Sequence, residues 1–230
     1  MFRTNLVRFR TLTLLLAMLA LLLPGAANAQ DANGYAQAAA AKKDREGVTF
    51  QLVPNPKFLA CLARDPNDKK HPPTAEVRVV KGNLNDKMTV RLHNIKSNLA
   101  FDLFTVQRSP FKADGSADPG FKNFGLAWYQ SDLEANRGGE GDVEIKTILL
   151  NQIFGFDPDV NLAPLNTFHV GFWFNNPADA APCGFTGSTP FNGEHNAGPL
   201  AMISLPDANT NLGPLCINPN TSTNPASCNP

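Results

Sequence analysis

The sequence predicts an all-β protein, an antiparallel two-layer sandwich of the Greek-key or Ig-like kind with long loops. Three observations predict this fold class. Apolar and polar residues alternate along several short segments, turn-forming residues separate those segments, and no segment has the periodicity of a convincing amphipathic helix. Alternation with a period of two places the apolar side chains on one face of a strand, and two such faces packed together form the core of a sandwich.

Residues 1–29 have the layout of a cleaved secretory signal. Three arginines give the segment a basic start, residues 12–23 form an apolar run, and residues 27–29 supply the small side chains of a cleavage site. The apolar run has 12 residues, fewer than the roughly 20 that a membrane-spanning helix needs. We therefore expect a secreted, cell-surface or periplasmic protein with no transmembrane segment after processing.

Residues 30–47 lack a core-facing pattern and are predicted as a mobile leader, which precedes a β domain at 48–205. Within that domain, apolar side chains alternate along residues 75–79 and again along 88–92. The Gly, Asn and Asp residues between these two runs predict a β-hairpin. Further strands are predicted at 48–53, 99–107, 124–129, 143–150, 167–175 and 200–205.

The four cysteines, Cys61, Cys183, Cys216 and Cys228, all follow the signal segment. An even number of cysteines in an exported chain predicts two disulfides, and three pairings are possible. We favour Cys216–Cys228 as a clip on the Asn- and Pro-rich tail, residues 206–230, with Cys61–Cys183 as a long-range tie, while all three pairings stay open. The tail is predicted to be disulfide-clipped or disordered.

Charge excludes some classes of partner. The full chain has 20 basic and 20 acidic residues, and three of the basic residues lie in the signal segment, so the processed chain is mildly acidic. Because no basic cluster is present, binding to nucleic acid is not expected. A small molecule, a glycan or another surface component remains as partner.

The predicted strand at 167–175 carries the most informative candidate site. Phe168, Val170, Phe172 and Phe174 share the face predicted to be core, and His169, Gly171 and Trp173 share the other. If solvent reaches that second face, Trp173 beside Gly171 and His169 forms a shallow aromatic platform for a sugar or planar ligand. The alternative is that a neighbouring loop, such as residues 176–198, covers Trp173 and makes it part of the core.

Glu194 and His195 form a second candidate site in a glycine-containing loop. Together with His169, they would supply two imidazoles and one carboxylate, a ligand set that suits zinc or non-haem iron. Alternatively, both side chains bond to the backbone of their own loop. No complete catalytic signature is present; an acid–base hydrolase would have Asp102 or Glu194 as its candidates. We predict no catalytic residue and leave the cofactor and the metal unassigned.

The order of motifs along residues 75–106, 168–177 and 193–198 resembles that of CHRD-type domains, which are secreted or surface β-sandwich modules. The resemblance implies a fold similar to copper–zinc superoxide dismutase. That family has a His-x-His pair where this chain has residues 101–104, Phe-Asp-Leu-Phe, so the resemblance does not carry a metal site over. The chain also resembles a bacterial group of uncharacterised exported proteins.

The function predicted from the sequence is an exported, non-enzymatic binding or surface module, with His169, Trp173, Glu194 and His195 as its binding residues. The alternative is a metal-binding protein or metal-dependent enzyme that uses His169, Glu194 and His195. On the first interpretation, replacing Trp173 with alanine weakens ligand binding and leaves the fold intact. Loss of folding would instead place Trp173 in the core.

Overall fold

The alternating segments form one large antiparallel sheet in the computed structural model, which describes residues 47–147, 154–155, 165–166, 168–187, 189 and 196–228. The predicted signal at 1–29 and nearly all of the predicted leader lie outside the described residues. The described strands are β1 (Val48–Pro54), β2 (Thr74–Val80), β3 (Asp86–His93), β4 (Ala100–Val106), β5 (Ala127–Glu134), β6 (Gly141–Thr147), β7 (Phe154–Gly155), β8 (Leu165–Asn166), β9 (His169–Phe174), β10 (Leu200–Ser204), β11 (Pro219–Asn220) and β12 (Ser227–Cys228).

Helical structure among the described residues is short. A 3₁₀ turn at Pro56–Phe58 leads into helix α1 (Leu59–Leu62), and a second 3₁₀ helix spans Pro177–Cys183, directly after β9. The side chain of Asn176 caps the second helix by accepting a hydrogen bond from the backbone N–H of Ala178. No helix in the described part of the chain is both long and apolar enough to cross a membrane.

The large sheet has the strand order β5-β4-β9-β10-β1-β2-β3-β6, and every pairing within it is antiparallel. Its two edge strands, β5 and β6, follow one another in the chain and are joined by the turn at residues 135–140. The edges therefore meet at this turn, which makes the sheet nearly barrel-shaped. The predicted all-β antiparallel class is confirmed, while the two-layer sandwich arrangement stays a prediction.

The predicted β-hairpin is confirmed as β2 and β3. Val77 of β2 pairs with Val90 of β3 at the centre of the hairpin. The apolar residues that alternate along both strands are all buried, namely Ala75, Val77, Val79, Met88, Val90 and Leu92. Period-two alternation thus identified both the pairing and the buried face, because a slip of one residue would turn every one of these side chains outward.

Two hydrophobic clusters lie on opposite faces of the central strands. The larger cluster includes Phe101 and Leu103 from β4, with Phe172 and Phe174 from β9. The smaller cluster has these described members: Phe104, Val106, Phe111, Trp173, Ala197, Leu200 and Ile203. Because side chains alternate along a strand, β4, β9 and β10 each contribute to both clusters and are buried on both faces.

Strand β5 differs from its predicted position. The sequence predicts a strand at 124–129, whereas β5 begins at Ala127 and continues to Glu134. Gly125 has a φ of 73°, which lies outside the range for a strand, and the N–H of Leu126 donates to Oε1 of Gln107 at 2.8 Å. The chain is therefore still part of a loop at these two positions, and regular pairing starts after them.

Both favoured disulfides are confirmed. Cys61–Cys183 ties α1 to the 3₁₀ helix after β9, and Cys216–Cys228 closes a loop in the tail next to the β11–β12 pair. Leu212 and Leu215 of the tail are buried, and the N–H of Leu215 donates to the carbonyl of Phe168 at 2.9 Å. Two disulfides indicate an oxidising environment.

Candidate functional site

Trp173 is buried, so the solvent-facing platform is wrong and the alternative, in which a loop covers Trp173, is correct. Its side chain is 1% exposed, and its ring packs edge-to-face against Phe104 and Phe124, with centroids 5.4 and 5.0 Å away. Phe124 comes from the long loop between β4 and β5, residues 107–126, which folds back over this face of β9. Phe111 of that loop belongs to the cluster around Trp173 and Phe124 packs against it, and their apolar area helps to exclude water from this face.

Phe168 also differs from its predicted place in the core. Strand β9 begins one residue later, and Phe168 is only half-buried. Its backbone N–H donates to the carbonyl of Val106 at 3.1 Å, and its own carbonyl accepts from Leu215 of the tail at 2.9 Å. These two hydrogen bonds hold Phe168 between the end of β4 and the tail, where its side chain lines a cavity.

This cavity has a volume of about 330 Å³ and lies where three parts of the chain meet. The 107–126 loop contributes Gln107, Phe111 and Phe121, the start of β9 contributes Phe168 and His169, and the tail contributes residues that include Pro206. We call it the loop–tail cavity. Its volume falls in the usual range for small-molecule sites, about 300–1,000 Å³.

His169, one of the predicted binding residues, contributes to the wall of the loop–tail cavity. Its side chain is 3% exposed, and Nδ1 lies 3.1 Å from the carbonyl oxygen and 2.9 Å from Oγ of Ser204 on β10. Burial lowers the pKa of His169 to about 4, and the hydrogen bond to Ser204 opposes part of that shift. The imidazole is therefore neutral at pH 7.

Gln107 also lines this cavity, and its side-chain amide has a donor without a hydrogen-bond partner among the described residues. The residue is 4% exposed, and its Oε1 accepts from the N–H of Leu126 at 2.8 Å. Its Nε2 is buried and has no hydrogen-bond partner among the described residues. A buried donor without a partner costs about 1–3 kcal/mol, so this amide favours a guest molecule that accepts a hydrogen bond.

The 107–126 loop is held in place by its own backbone. The carbonyl of Phe124 accepts from the N–H groups of both Gln107 and Arg108, each at 3.1 Å. Gly125 makes this closure possible, because a Cβ at its positive φ would overlap the side chain of Gln107. The glycine thus fixes the position of the amide as well as the path of the loop.

Two other predicted binding residues, Glu194 and His195, lie outside the described residues, so the metal site that they would form with His169 stays a prediction. No group of three or more His, Cys, Asp or Glu side chains comes together in a metal-binding arrangement within the described ranges. Asp102, a candidate acid–base residue, is fully buried, and its Oδ1 accepts from Nδ2 of Asn175 at 2.9 Å.

The outer face of β2, β3 and β6 forms a second, charged concavity. Lys87 and Glu144 form an ion pair there at 3.1 Å, and the register places Arg91 between Glu76 and Asp142 on the flanking strands. Acidic and basic side chains alternate across the strands, which is typical of a solvated sheet face whose charges balance locally. We assign no binding role to this face.

Sequence reasoning identified His169 but missed Gln107, Phe111 and Phe121. Gln107 gives no local signal, because it is buried only after the loop folds back. The phenylalanines do give one, since Phe111, Phe121 and Phe124 occur within a segment otherwise rich in turn residues. Large apolar side chains in such a segment indicate that part of the loop packs against the domain.

Comparison of this chain with known proteins identified no similar protein. No protein-family model, curated protein or solved structure matches the chain. The resemblances to CHRD-type domains and to a bacterial exported group therefore stay predictions, and functional reasoning depends on the loop–tail cavity itself.

Proposed function

We propose that this chain is an exported, non-enzymatic module that binds a small molecule in the loop–tail cavity. The two disulfides support export, because such bonds persist in oxidising compartments. The signal-like segment at 1–29 supports secretion or retention at the cell surface or in the periplasm.

A single observation carries the proposal: the cavity combines aromatic walls with a buried, unpartnered amide donor on Gln107. Small-molecule sites are typically concave and mostly apolar, with a few placed polar groups that orient the ligand. Phe111, Phe121 and Phe168 supply the apolar surface, and Gln107 and His169 supply the polar groups. The proposed site therefore differs from the exposed platform at Trp173. It lies at the start of the same strand, where His169 lines the cavity.

Two glycine substitutions test the proposal as a matched pair. Gly120 lines the cavity, whereas Gly138 lies in the turn between β5 and β6. In both cases, the glycine N–H donates to Oδ1 of the residue two positions earlier, at 2.8 Å from Asp118 and 2.7 Å from Asn136. A phenylalanine at either position therefore meets a similar local environment, but only Gly120→Phe places its ring at the cavity.

The measurement is a protein-observed NMR titration of the purified chain with toluene and benzamide as probes. We expect the shifts to cluster on cavity residues such as Phe121 and Phe168. We also expect Gly120→Phe to weaken binding by about tenfold or more and Gly138→Phe to leave it unchanged. The proposal is wrong if neither probe shifts the cavity residues, or if the two variants bind the probes equally well.

A further inference from the structure

The orientation of the Gln107 amide is fixed by its surroundings. The N–H of Leu126 donates to Oε1 at 2.8 Å, so the oxygen must face Leu126 and the NH₂ group must face the other way. That NH₂ group is the buried donor with no partner among the described residues. Gln107 therefore holds an unpaired hydrogen-bond donor in a fixed orientation, and the residue lines the loop–tail cavity.

His169 offers the complementary group. Nδ1 lies 3.1 Å from the carbonyl oxygen of Ser204, and a carbonyl can only accept a hydrogen bond, so Nδ1 carries the proton of the neutral ring. Nε2 then has a free lone pair and acts as an acceptor. No described residue bonds to Nε2, and the residue lines the same cavity as Gln107.

The donor and the acceptor come from adjacent positions of the sheet. Val106, which immediately precedes Gln107, is the register partner of His169 between β4 and β9. Directly opposed residues of antiparallel strands have Cα atoms about 4.5–5.5 Å apart. The register therefore brings the backbone of Gln107 next to that of His169, and both residues line the same cavity.

The charges at the cavity do not favour an ion. Arg108 donates from Nη1 to Oδ1 of Asn123 at 2.7 Å, and Asp118 accepts from the N–H of Gly120 at 2.8 Å. The cavity is lined by one residue of each sign, and each is engaged with its own loop. Three phenylalanines, Phe111, Phe121 and Phe168, line the same cavity and offer aromatic faces to a planar ligand body.

Building on the proposed binding function, we propose that the ligand is an uncharged, planar molecule with a C=O and an N–H side by side, as in an aromatic carboxamide or a lactam. The carbonyl accepts from the amide of Gln107, the N–H donates to Nε2 of His169, and the ring packs against the phenylalanines. This pairing satisfies the buried donor that the described residues leave without a partner.

Four probes of equal ring size test the ligand class by NMR titration of the purified chain with both disulfides intact. Benzamide has the required donor and acceptor, benzoate has only acceptors and a negative charge, benzamidine has only donors and a positive charge, and toluene has neither. We expect benzamide to bind about tenfold more tightly than the other three probes, with shifts at the cavity residues.

Two variants separate the roles of the polar groups. Gln107→Glu keeps an oxygen for the N–H of Leu126 but replaces the donor with an acceptor, so the preference for benzamide should be lost and binding of benzamidine should strengthen. His169→Phe keeps the ring volume but removes the acceptor, so benzamide should bind no better than toluene. The controls Gln51→Glu and His93→Phe make the same chemical changes at exposed positions and should leave all four affinities unchanged.

The outcomes separate the ligand class from the binding function. If toluene or an ionic probe binds the cavity as tightly as benzamide, or if Gln107→Glu keeps the preference for benzamide, the proposed ligand class is wrong while the binding function stands. If none of the four probes shifts any cavity residue, both proposals are wrong.

Discussion

The two faces of strand β9 are both buried, but they are buried in different ways. On one face, Phe172 and Phe174 pack against Phe101 at centroid distances of 4.7 and 5.6 Å, in a cluster that the strands of the sheet share with the helical segments after β1 and β9. On the other face, Trp173 is covered by a loop, and His169 at the end of the strand lines the loop–tail cavity.

Under the proposed function, one strand contributes both to the core and to a binding site. The face in the larger cluster is entirely apolar at Val170, Phe172 and Phe174, as in a close-packed interior. The covering of the other face leaves a space beside His169. The cavity lies where the loop, the start of β9 and the tail meet without filling the space.

Alanine substitutions on the two faces should have the largest effects. We expect Phe172→Ala and Trp173→Ala each to lower the free energy of unfolding by about 3–5 kcal/mol, because both side chains are at most 1% exposed. Urea denaturation followed by circular dichroism measures the change. Leu84→Ala is the control, since Leu84 is 83% exposed and should change stability by less than about 0.5 kcal/mol.

A Trp173→Ala variant as stable as the Leu84→Ala control would break the comparison, because it would show that the loop does not bury Trp173 in solution. The same variant addresses the interpretation drawn from the sequence alone, in which Trp173 is an exposed binding residue. Its burial beneath Phe124 now predicts loss of stability instead of selective loss of binding.

Acid should affect the loop-covered face selectively, through His169. Because burial lowers the pKa of this histidine from 6.5 to about 4, the unfolded chain binds a proton more readily than the folded chain across that interval. The stabilising contribution is complete above pH 6.5 and is lost as the pH falls toward 4, by up to about 3 kcal/mol. Arg108 and Asp118 are the charged residues that line the same cavity.

His169→Asn removes the titrating ring and keeps an N–H donor that can face Ser204. We expect the stability of this variant to depend less on pH over the same interval than that of the unmodified chain. Urea denaturation of both proteins across the interval measures the difference. Parallel stability curves for the two proteins would show that His169 is not buried as a neutral ring.

The smallest predicted change in stability comes from glycine substitutions in the 107–126 loop, which covers one face of β9. Gly125→Ala and Gly115→Ala both place a Cβ at a positive φ, 73° and 81°, and each should cost about 1–2 kcal/mol from strain alone. A Cβ on Gly125 also overlaps Gln107, whereas a Cβ on Gly115 meets nothing within 4 Å. Gly125→Ala should therefore cost more and should weaken benzamide binding, which Gly115→Ala should leave unchanged.

Equal stability and equal binding in the two glycine variants would show that Gly125 does not position Gln107. Thermal denaturation and the benzamide titration together provide both measurements.

The sequence predicted the strands better than the site, for physical reasons. Alternation identified the hairpin of β2 and β3 down to its buried face, because the period of two is a property of each strand and needs no information from elsewhere. The partner of Trp173 could not be identified in that way, since Phe124 is about 50 residues away in the chain and reaches Trp173 through a loop of irregular backbone.

Gln107 was unpredictable for a related reason. Its burial depends on Gly125 and Leu126, which the sequence suggested were part of a strand. The favoured disulfide pairing is correct, but cysteine spacing alone limits the possible pairings to three without selecting one. His169 was recognised as a candidate, but its environment changed from an exposed platform to the wall of a cavity.

The contribution of the tail to the cavity has a consequence for the order of maturation. The tail residues that line the cavity follow β10, the last strand of the large sheet, in the chain. A chain that emerges from an export channel with its N-terminus first therefore releases every strand of the large sheet before it releases the final wall of the cavity. Under the proposed export and binding function, a guest molecule is therefore captured only after translocation has passed that point, because the cavity of the precursor is still incomplete.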